Sequence, residues 1–393
     1  MRIQEVRLFL VEGEGPAWEF EDRSVESLDR YPDHVRPTAG AGDAPTKVVA
    51  RYVEIATDGG AVGRYGPIDP RQAFLIAADL RPHLLGEDPL AIEAIHDRLL
   101  RVHRHGRAGL FMTAISAVNN ALWDLLGKIR GEPVYRLLGG PTRDRIPAYA
   151  SMLGHSIEPE RVAEAASEHR AHGYQAQKWF FAFGPGAGWE GLQRNLAMAR
   201  AVREATGPGY PLMFDAFMGW DLTYATDMLR GLADVDPFWV EEPVPPEHLS
   251  AFRRLAADTG IRLATGEHAH TRWQVKELLD AGVGLIQTDP DWAGGISEQL
   301  HICSLSAAYD VPVVAHGHAM AVPVHLAAGR SPQTIPMVEY LVQIQERNQW
   351  FHRTILRPVD GAISLPSEPG LGIEIDPAKV LSRRDLHVDG ADV

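Results

Sequence analysis

The sequence predicts an α/β protein in which a closed barrel of eight parallel strands follows a smaller α+β module. After residue 140, eight short apolar runs recur about 20 to 40 residues apart, with amphipathic helical stretches between them. The first 130 residues instead show strand-like alternation and then helical periodicity. The polar residues that interrupt the eight runs lie at their C-terminal ends, where the active sites of such barrels lie.

The N-terminal module begins with three predicted strands. Residues 3–11 and 48–54 alternate in polarity, and Asp58, Gly59 and Gly60 form a hairpin turn signal before residues 61–63. The intervening residues 13–46 are rich in proline, glycine and charge, which predicts a long loop that is either functional or disordered. Apolar residues at helical spacing in residues 75–84, 92–102 and 114–129 then predict three helices.

The barrel prediction depends on the count of the later apolar runs. Eight strands alternating with helices is the number that a closed parallel barrel needs. The predicted strands are residues 146–152, 174–181, 211–217, 238–242, 262–267, 284–289, 311–316 and 335–340.

Composition limits the class of protein. The chain has 393 residues with 45% hydrophobic and 23% charged residues, which is enough apolar material for a large core. A net charge of −14 argues against a nucleic-acid partner, because phosphates are met by clustered lysine and arginine. The single cysteine, Cys303, fits a reducing compartment, and no apolar stretch is long enough to cross a membrane. We therefore expect a cytoplasmic protein without a membrane partner.

Three carboxylates follow three consecutive predicted strands. Asp215, Glu241 and Glu267 are each 26 residues apart, so neighbouring strands should place them side by side at the barrel mouth. One such acid alone is best interpreted as a helix cap or a solvated charge. Three together would repel one another unless a cation lay between them, and carboxylate oxygens suit Mg²⁺. The sequence therefore predicts a magnesium site.

The sixth and seventh predicted strands carry a candidate proton-transfer pair. Asp289 on one strand can orient His316 on the next and raise its basicity, which would make His316 a general base. A lone histidine in a strand is more often structural. His318 competes with His316 because it lies on the same face, and Asp291 competes with Asp289, although it lies beyond Pro290 in a loop.

Two further residues complete the candidate site. Lys178, on the second strand, is interpreted as a buried cation near the substrate carboxylate, although a surface lysine is the alternative. Glu339, on the eighth strand, is either a protonated hydrogen-bond donor to an enolate oxygen or a structural carboxylate. The glycines of residues 184–188 have the wrong spacing for a nucleotide-binding loop.

These features resemble the mandelate racemase subgroup of the enolase superfamily over nearly the whole chain, including residues 121–128 (ALWDLLGK) and 369–373 (PGLGI). The resemblance implies a modified TIM barrel of the (β/α)7β type over residues 131–360. It also implies an N-terminal α+β capping domain over residues 1–130 and a C-terminal segment, residues 361–393, that returns to the capping domain.

The resemblance also assigns roles. It implies that Asp215, Glu241 and Glu267 bind Mg²⁺, that Asp289 and His316 form the catalytic dyad, and that Glu339 is an electrophilic carboxyl group. Lys178, His268, Arg36 and Glu339 are the implied substrate contacts. Within the subgroup, residues 212–215, 266–273 and 289–295 are most similar to acid-sugar dehydratases of the L-rhamnonate dehydratase type. The implied partners are a small sugar acid and further copies of the chain in a homo-oligomer.

One departure from the subgroup pattern bears on the reaction. The subgroup often has Lys-x-Lys on the second strand, where the second lysine is a base on the opposite face of the substrate; here the motif is Lys178-Trp179-Phe180. The predicted reaction is therefore dehydration of a sugar acid, which needs one base. A racemase, epimerase or cycloisomerase, a catalytically silent sugar-acid binder, and an aldolase or sugar isomerase on another barrel remain the alternatives.

Overall fold

Strands and helices follow the apolar pattern of the chain in the structure, a computed structural model that describes residues 1–15, 21, 24–31 and 46–387. Within these ranges the strands are β1 (Ile3–Gly15), β2 (Thr46–Thr57), β3 (Val62–Tyr65), β4 (Arg145–Ser151), β5 (Gln177–Phe180), β6 (Leu212–Asp215), β7 (Trp239–Glu241), β8 (Leu263–Thr265), β9 (Leu285–Ile286), β10 (Val338–Leu341), β11 (Ala362–Ser364) and β12 (Ser382–Asp385). The α-helices are α1 (Pro70–Leu75), α2 (Ile92–Val102), α3 (Leu110–Arg130), α4 (Val134–Leu137), α5 (Pro159–Ala171), α6 (Gly188–Thr206), α7 (Leu222–Gly231), α8 (Leu249–Thr259), α9 (Arg272–Asp280), α10 (Gly295–Ala308), α11 (Ala321–Gly329) and α12 (Gln345–Asn348).

Four antiparallel strands form the sheet of the N-terminal module, in the order β12-β1-β2-β3. The last of the described strands, β12, pairs with β1, so residues 382–385 lie beside residues 9–12. Helix α3 packs on β3, where Gly63 lies against the carbonyl of Ala121 and the side chain of Leu125. A larger side chain at residue 63 would collide with α3, so glycine permits this close packing.

The first predicted helix, residues 75–84, is interrupted. Helix α1 ends at Leu75 and is followed by a π-helical turn, Ile76–Leu80, and a 3₁₀ turn, Arg81–His83. Pro82 explains the break, because proline has no N–H to donate to the preceding turn. The apolar residues Ile76 and Leu80 still face the core.

The barrel sheet has the order β10-β4-β5-β6-β7-β8-β9, with every neighbouring pair parallel. At the seventh strand position, residues 311–316 form only a bridge between Ile286 and Val313, because Pro312 cannot donate to the ladder. Val313 N–H also donates to Thr334 O at 2.8 Å, which brings this segment next to the eighth position. Seven helices, α5 to α11, connect the eight positions, so the (β/α)7β barrel is confirmed.

The barrel strands separate two cores. Residues on their outer face pack against the surrounding helices in one large cluster. Residues on their inner face form a second cluster, which consists of Tyr149, Ala176, Met213, Trp239, Ala264, Leu285 and Val314. This apolar layer fills the barrel below the mouth and supports the polar residues that follow it along each strand.

The described part of the long excursion after β1 lies on the loops at the C-terminal ends of the barrel strands. Glu21 N–H donates to Gly154 O at 2.6 Å, and Val25 N–H donates to Phe181 O at 2.8 Å. The Val25 side chain is fully buried. The N-terminal module therefore contacts the barrel at its mouth. Across the described ranges, none of the helices combines the length and the apolar character needed to span a bilayer.

Candidate active site

Alternation along the barrel strands carries polar side chains to the mouth of the barrel. In β6, Met213 lies in the inner apolar layer, and Asp215, two residues further on, is buried at the C-terminal end of the strand. Trp239 and Glu241 repeat this arrangement in β7. Since Asp215 pairs with Glu241 in the parallel ladder, their carboxylates are neighbours.

The ammonium group of Lys178 lies among three carboxylates. Its Nζ is 3.2 Å from Asp215 Oδ2, 2.8 Å from Glu241 Oε1 and 2.8 Å from Glu339 Oε1. Lys178 is buried, so it is not a surface lysine. Burial opposes its charge, but Glu241 and Glu339 raise the pKa of Lys178 well above its ordinary value. Four residues from four strands thus form one charged cluster.

Glu242 belongs to the same acidic region, although strand alternation did not predict it as a site residue. Its backbone is in the left-handed region with φ of 42°, so alternation ends after Glu241, and Glu242 is buried as well. Its Oε1 accepts a hydrogen bond from Thr265 Oγ1 at 3.1 Å. The repeated glutamate of residues 241 and 242 was the available signal, but strand periodicity assigns the second one to the opposite face.

Glu267 and His268 meet Glu242 beyond the end of β8. One potential ligand atom from each of these three residues lies within 4.8 Å of the others. His268 Nδ1 is 3.2 Å from Glu242 Oε1 and 3.7 Å from Glu267 Oε1. Burial opposes protonation, but the hydrogen bond and charge of Glu242 raise the pKa of His268 to about 9. His268, a predicted substrate contact, is therefore the cationic partner of Glu242 here.

The acidic region has too few cations of its own. Burial and the charge of Asp215 raise the pKa of Glu241 well above its ordinary value, and burial with the charge of Glu242 raises the pKa of Glu267 to about 7. Burial also raises the pKa of Asp215. Several buried carboxylates that resist ionisation fit a divalent cation, because hard oxygen ligands and a second positive charge would stabilise their ionised forms.

At the C-terminal ends of β9 and of the seventh strand position, Asp289 and His316 form a close pair. His316 Nδ1 is 2.7 Å from Asp289 Oδ2, which leaves Nε2 free to exchange a proton. His316 Nε2 is 3.7 Å from Glu267 Oε2, so the pair adjoins the acidic region. Although burial opposes protonation, Glu267 and Asp289 raise the pKa of His316 well above its ordinary value.

Glu339 connects the two sides of the mouth. One of its oxygens contacts Lys178, and the other accepts a hydrogen bond from Gly317 N–H at 2.8 Å. Burial opposes its ionisation, but the charges of Lys178 and His316 lower the pKa of Glu339. Of the two roles that the sequence left open, this arrangement favours an ionised carboxylate over a protonated donor.

His318 and Asp291 do not compete with His316 and Asp289 for one position, because the structure contains both pairs. His318 Nδ1 is 2.7 Å from Asp291 Oδ2. The ring of Trp292 lies beside both histidines, with centroids 4.9 Å from His316 and 5.4 Å from His318. Two histidine–aspartate pairs therefore lie next to each other at the mouth. Arg36, the remaining predicted substrate contact, lies outside the described residues.

Two family models match the chain. Residues 33–139 match the N-terminal domain of mandelate racemase/muconate lactonizing enzymes, and residues 160–379 match the enolase C-terminal domain-like family. The first match covers most of the N-terminal module, and the second covers most of the barrel.

Three known proteins resemble the chain over nearly its whole length. The L-rhamnonate dehydratase of Saccharopolyspora erythraea is 34% identical over 98% of this chain and 99% of its own. The crystal structure of rhamnonate dehydratase from Gibberella zeae complexed with Mg matches with a TM-score of 0.83 at 27% identity, over 96% of this chain and 95% of that chain. The 3,6-anhydro-D-galactonate cycloisomerase from Zobellia galactanivorans matches with a TM-score of 0.75 at 26% identity, over 96% of this chain and 98% of that chain.

Proposed function

Because the chain belongs to the mandelate racemase and muconate lactonizing enzyme family of the enolase superfamily, we propose that it is a magnesium-dependent hydro-lyase acting on a sugar acid of the L-rhamnonate type. The reaction removes water and yields a 2-keto-3-deoxy acid. The observation that carries the proposal is that a cation-deficient acidic region and the His316–Asp289 pair lie 3.7 Å apart at one barrel mouth.

Asp215, Glu241 and Glu267 are the proposed magnesium ligands. They are the buried carboxylates at the ends of three adjacent strands, and the pKa of each is raised. When bound, Mg²⁺ supplies positive charge that stabilises the substrate carboxylate as its α-carbon loses a proton. Lys178, a buried cation beside two of these ligands, is proposed to bind the substrate carboxylate as well.

His316 is the proposed general base. Asp289 holds its Nδ1, so Nε2 is the atom that accepts the α-proton from C2 of the acid. Loss of this proton gives an enediolate, and departure of the 3-hydroxyl group as water gives an enol. Tautomerisation of the enol then gives the 2-keto-3-deoxy acid. Asp289 stabilises the imidazolium that forms at His316.

Phe180 favours elimination over racemisation. The Phe180 ring lies 5.3 Å from Lys178 Nζ and packs against Phe217 at a centroid distance of 6.3 Å. A racemase needs a base on each face of the substrate, and this strand supplies an aromatic side chain where the subgroup often has a second lysine. The N-terminal module, which contacts the mouth through Val25, is proposed to exclude water and to set sugar length and stereochemistry.

A substrate screen tests the proposal. The purified protein with Mg²⁺ is incubated with aldonic and aldaric acids, L-rhamnonate first, and 2-keto-3-deoxy products are measured. We expect dehydration by the wild type and its loss in His316→Asn. His301→Asn, a partly exposed histidine on α10, is the matched control and should keep full activity.

Two results would redirect the assignment. Exchange of the α-proton in D₂O without loss of water would indicate an epimerase or cycloisomerase on this scaffold. If no acid is dehydrated and none exchanges its α-proton, the chain binds sugar acids without transforming them.

A further inference from the structure

We propose that His318, oriented by Asp291, is a second catalytic histidine, which donates the proton that the departing hydroxyl group needs. The inference rests on the proposed dehydration. Without His318, His316 would have to remove the C2 proton and then protonate the leaving hydroxyl group. With His318, each imidazole performs one of these two proton transfers.

The pairing of His318 repeats that of His316 in detail. Each histidine places Nδ1 2.7 Å from an aspartate oxygen, and the two aspartates are separated in the chain by Pro290 alone. Asp291 N–H also donates to Asp289 Oδ1 at 2.6 Å, so the two pairs are physically joined. In both histidines Nε2 is therefore the nitrogen left free for proton transfer.

Asp291 is held from the N-terminal module. The buried hydroxyl group of Tyr65, in β3, donates to Asp291 Oδ1, so one aspartate oxygen faces Tyr65 and the other faces His318. Asn120, in α3, donates to the carbonyl of the preceding residue, Pro290, at 3.2 Å. The carboxylate that orients His318 is thus fixed by contacts from outside the barrel.

The backbone of His318 is fixed as well. Its carbonyl accepts a hydrogen bond from Asn348 Nδ2 at 3.0 Å, and the adjacent Gly317 N–H donates to Glu339 at 2.8 Å. With its main chain and one ring nitrogen both held, the imidazole has little freedom to turn away from the mouth. Such restraint is expected of a group that must meet one substrate atom.

Exposure separates the two histidines. The His316 side chain is 15% exposed, whereas that of His318 is 39% exposed. Trp292 contacts both rings, so the two imidazoles lie beside the same indole ring and differ in exposure. His316 lies next to the proposed metal ligand Glu267, so it is placed to remove the proton from C2, the carbon beside the substrate carboxylate. His318 is more exposed, so it is placed to protonate the hydroxyl group on C3.

The chemistry then balances without a further reactant. The C2–H bond breaks and its proton goes to His316 Nε2, while the electron pair of that bond is held in the enediolate. The C3–O bond then breaks as this pair forms the C2–C3 double bond, and the leaving oxygen takes a proton from His318 Nε2 and departs as water. Burial opposes protonation of His318, but the hydrogen bond and charge of Asp291 and the charge of Asp289 raise its pKa.

His318→Asn and His318→Gln separate the two steps of the reaction. With the acid that the wild type dehydrates, we expect dehydration to fall by about 100-fold or more, the size of general acid catalysis. In D₂O, the recovered acid should gain deuterium at C2 at a rate within about threefold of wild-type turnover, because His316 still removes the proton. His301→Asn serves as the matched control, and thermal unfolding verifies that each variant is folded.

A substrate that needs no acid provides the second readout. The 3-deoxy-3-fluoro analogue of the same acid loses fluoride, which requires little protonation, so His318→Asn should release fluoride within about threefold of the wild-type rate. Asp291→Asn should show the same pattern with a smaller loss of dehydration.

The possible outcomes are distinct. The inference is overturned if the His318 variants keep full dehydration, lose deuterium exchange as strongly as dehydration, or are not rescued by the fluoro analogue. In each case the proposed function stands as long as the wild type dehydrates the acid. A wild type that dehydrates no acid overturns the proposed function and this inference with it.

Discussion

The two sides of the barrel mouth differ in how their charges are matched. On the side of β6 to β8, Asp215, Glu241 and Glu267 are buried with raised pKa values and too few cations to neutralise them. On the other side, each aspartate has its own imidazole, as in the 2.7 Å contact between Asp289 and His316. One side requires a positive charge from outside the chain, whereas the other is neutralised by its own residues.

This difference shows how one fold supports two kinds of chemistry within a few ångströms. Like charges held together in a low-dielectric site favour uptake of a metal ion, because the ion removes their mutual repulsion. Matched acid–imidazole pairs instead favour proton transfer, because the carboxylate fixes the tautomer and stabilises the charged ring. The residues of each side are therefore expected to respond differently to the same loss of charge.

The largest effect is expected on the unmatched side. Glu241→Gln removes one proposed ligand and one partner of Lys178, so we expect turnover to fall by about 10⁴-fold, equivalent to several kcal/mol of transition-state stabilisation. Isothermal titration calorimetry should show weakened Mg²⁺ binding in the same variant. Glu204→Gln, on an exposed part of α6, is the matched control. Retention of a tenth of wild-type turnover would contradict the metal assignment.

Asp289→Asn should produce the next largest effect. The neutral amide cannot stabilise the imidazolium form of His316, so we expect about a 10³-fold loss of turnover, within the range of general base catalysis. Deuterium exchange at C2 should fall by the same factor, which distinguishes this variant from Asp291→Asn. Asp234→Asn, an exposed aspartate paired with Arg200, should have no effect. Equal behaviour of Asp289→Asn and Asp291→Asn would remove the distinction between the two pairs.

Glu298, a buried carboxylate away from the mouth, has its own cationic partner, so its contribution to protein stability can be compared with that of Glu241. Glu298 is buried, and Arg272 donates to it from its backbone at 2.7 Å and from its guanidinium at 2.9 Å and 2.5 Å. Burial alone would raise its pKa, but His96 and Arg272 lower the pKa of Glu298 to about 2 from an ordinary value of 4.5. Its interactions therefore favour the ionised form, the reverse of the case of Glu241.

The stabilisation that Glu298 provides should depend on pH. Because the folded pKa is below the unfolded one, the stabilisation from Glu298 is present above pH 4.5 and is lost as the pH falls toward 2. We expect Glu298→Gln to cost roughly 3 kcal/mol at pH 7. In calorimetric scans, the difference in Tm from wild type should shrink between pH 5 and about pH 3. Glu93→Gln, an exposed glutamate, should match wild type throughout. A difference in Tm that is constant across this range would show that Glu298 acts through packing instead of charge.

Periodicity accounts for what could be predicted from the sequence. The step of two residues from the inner apolar layer to the mouth links Met213 to Asp215 and Trp239 to Glu241, so the strand ends were visible as polar residues after apolar runs. Glu242 was missed because its backbone is in the left-handed region, so its side chain does not follow the in-and-out alternation of the strand.

The pairings among site residues were harder to predict than their positions. From the sequence, His318 and Asp291 were alternatives to His316 and Asp289 for one catalytic position. The sequence alone does not indicate how the loop that carries Asp291 folds at the barrel mouth. Contacts from the N-terminal module, distant in the chain, hold the Pro290–Asp291 segment where Asp291 pairs with His318. Likewise, nothing local indicated that Lys178 would contact three carboxylates from three other strands.

The smallest effect is expected at the contact that joins the N-terminal module to the second pair. Tyr65→Phe removes the hydroxyl group that donates to Asp291 and leaves Asp291 Oδ1 without this hydrogen bond. We therefore expect the free energy of unfolding to fall by about 1 to 2 kcal/mol. Dehydration should fall by about threefold to tenfold with KM unchanged, because Asp291 still holds His318, though less firmly. Deuterium exchange at C2 should not change.

Tyr309→Phe is the matched control for this last change. Tyr309 also donates its hydroxyl group to an aspartate, Asp280 at 2.8 Å, but at an exposed site on the outside of the barrel, so its loss should cost less than about 0.5 kcal/mol. If the two variants lose equal stability and neither alters dehydration, the buried tyrosine merely contributes to packing between the N-terminal module and the barrel. If Tyr65→Phe alone slows dehydration and spares exchange, the N-terminal module takes part in orienting the second histidine, and the matched side of the mouth depends on both domains.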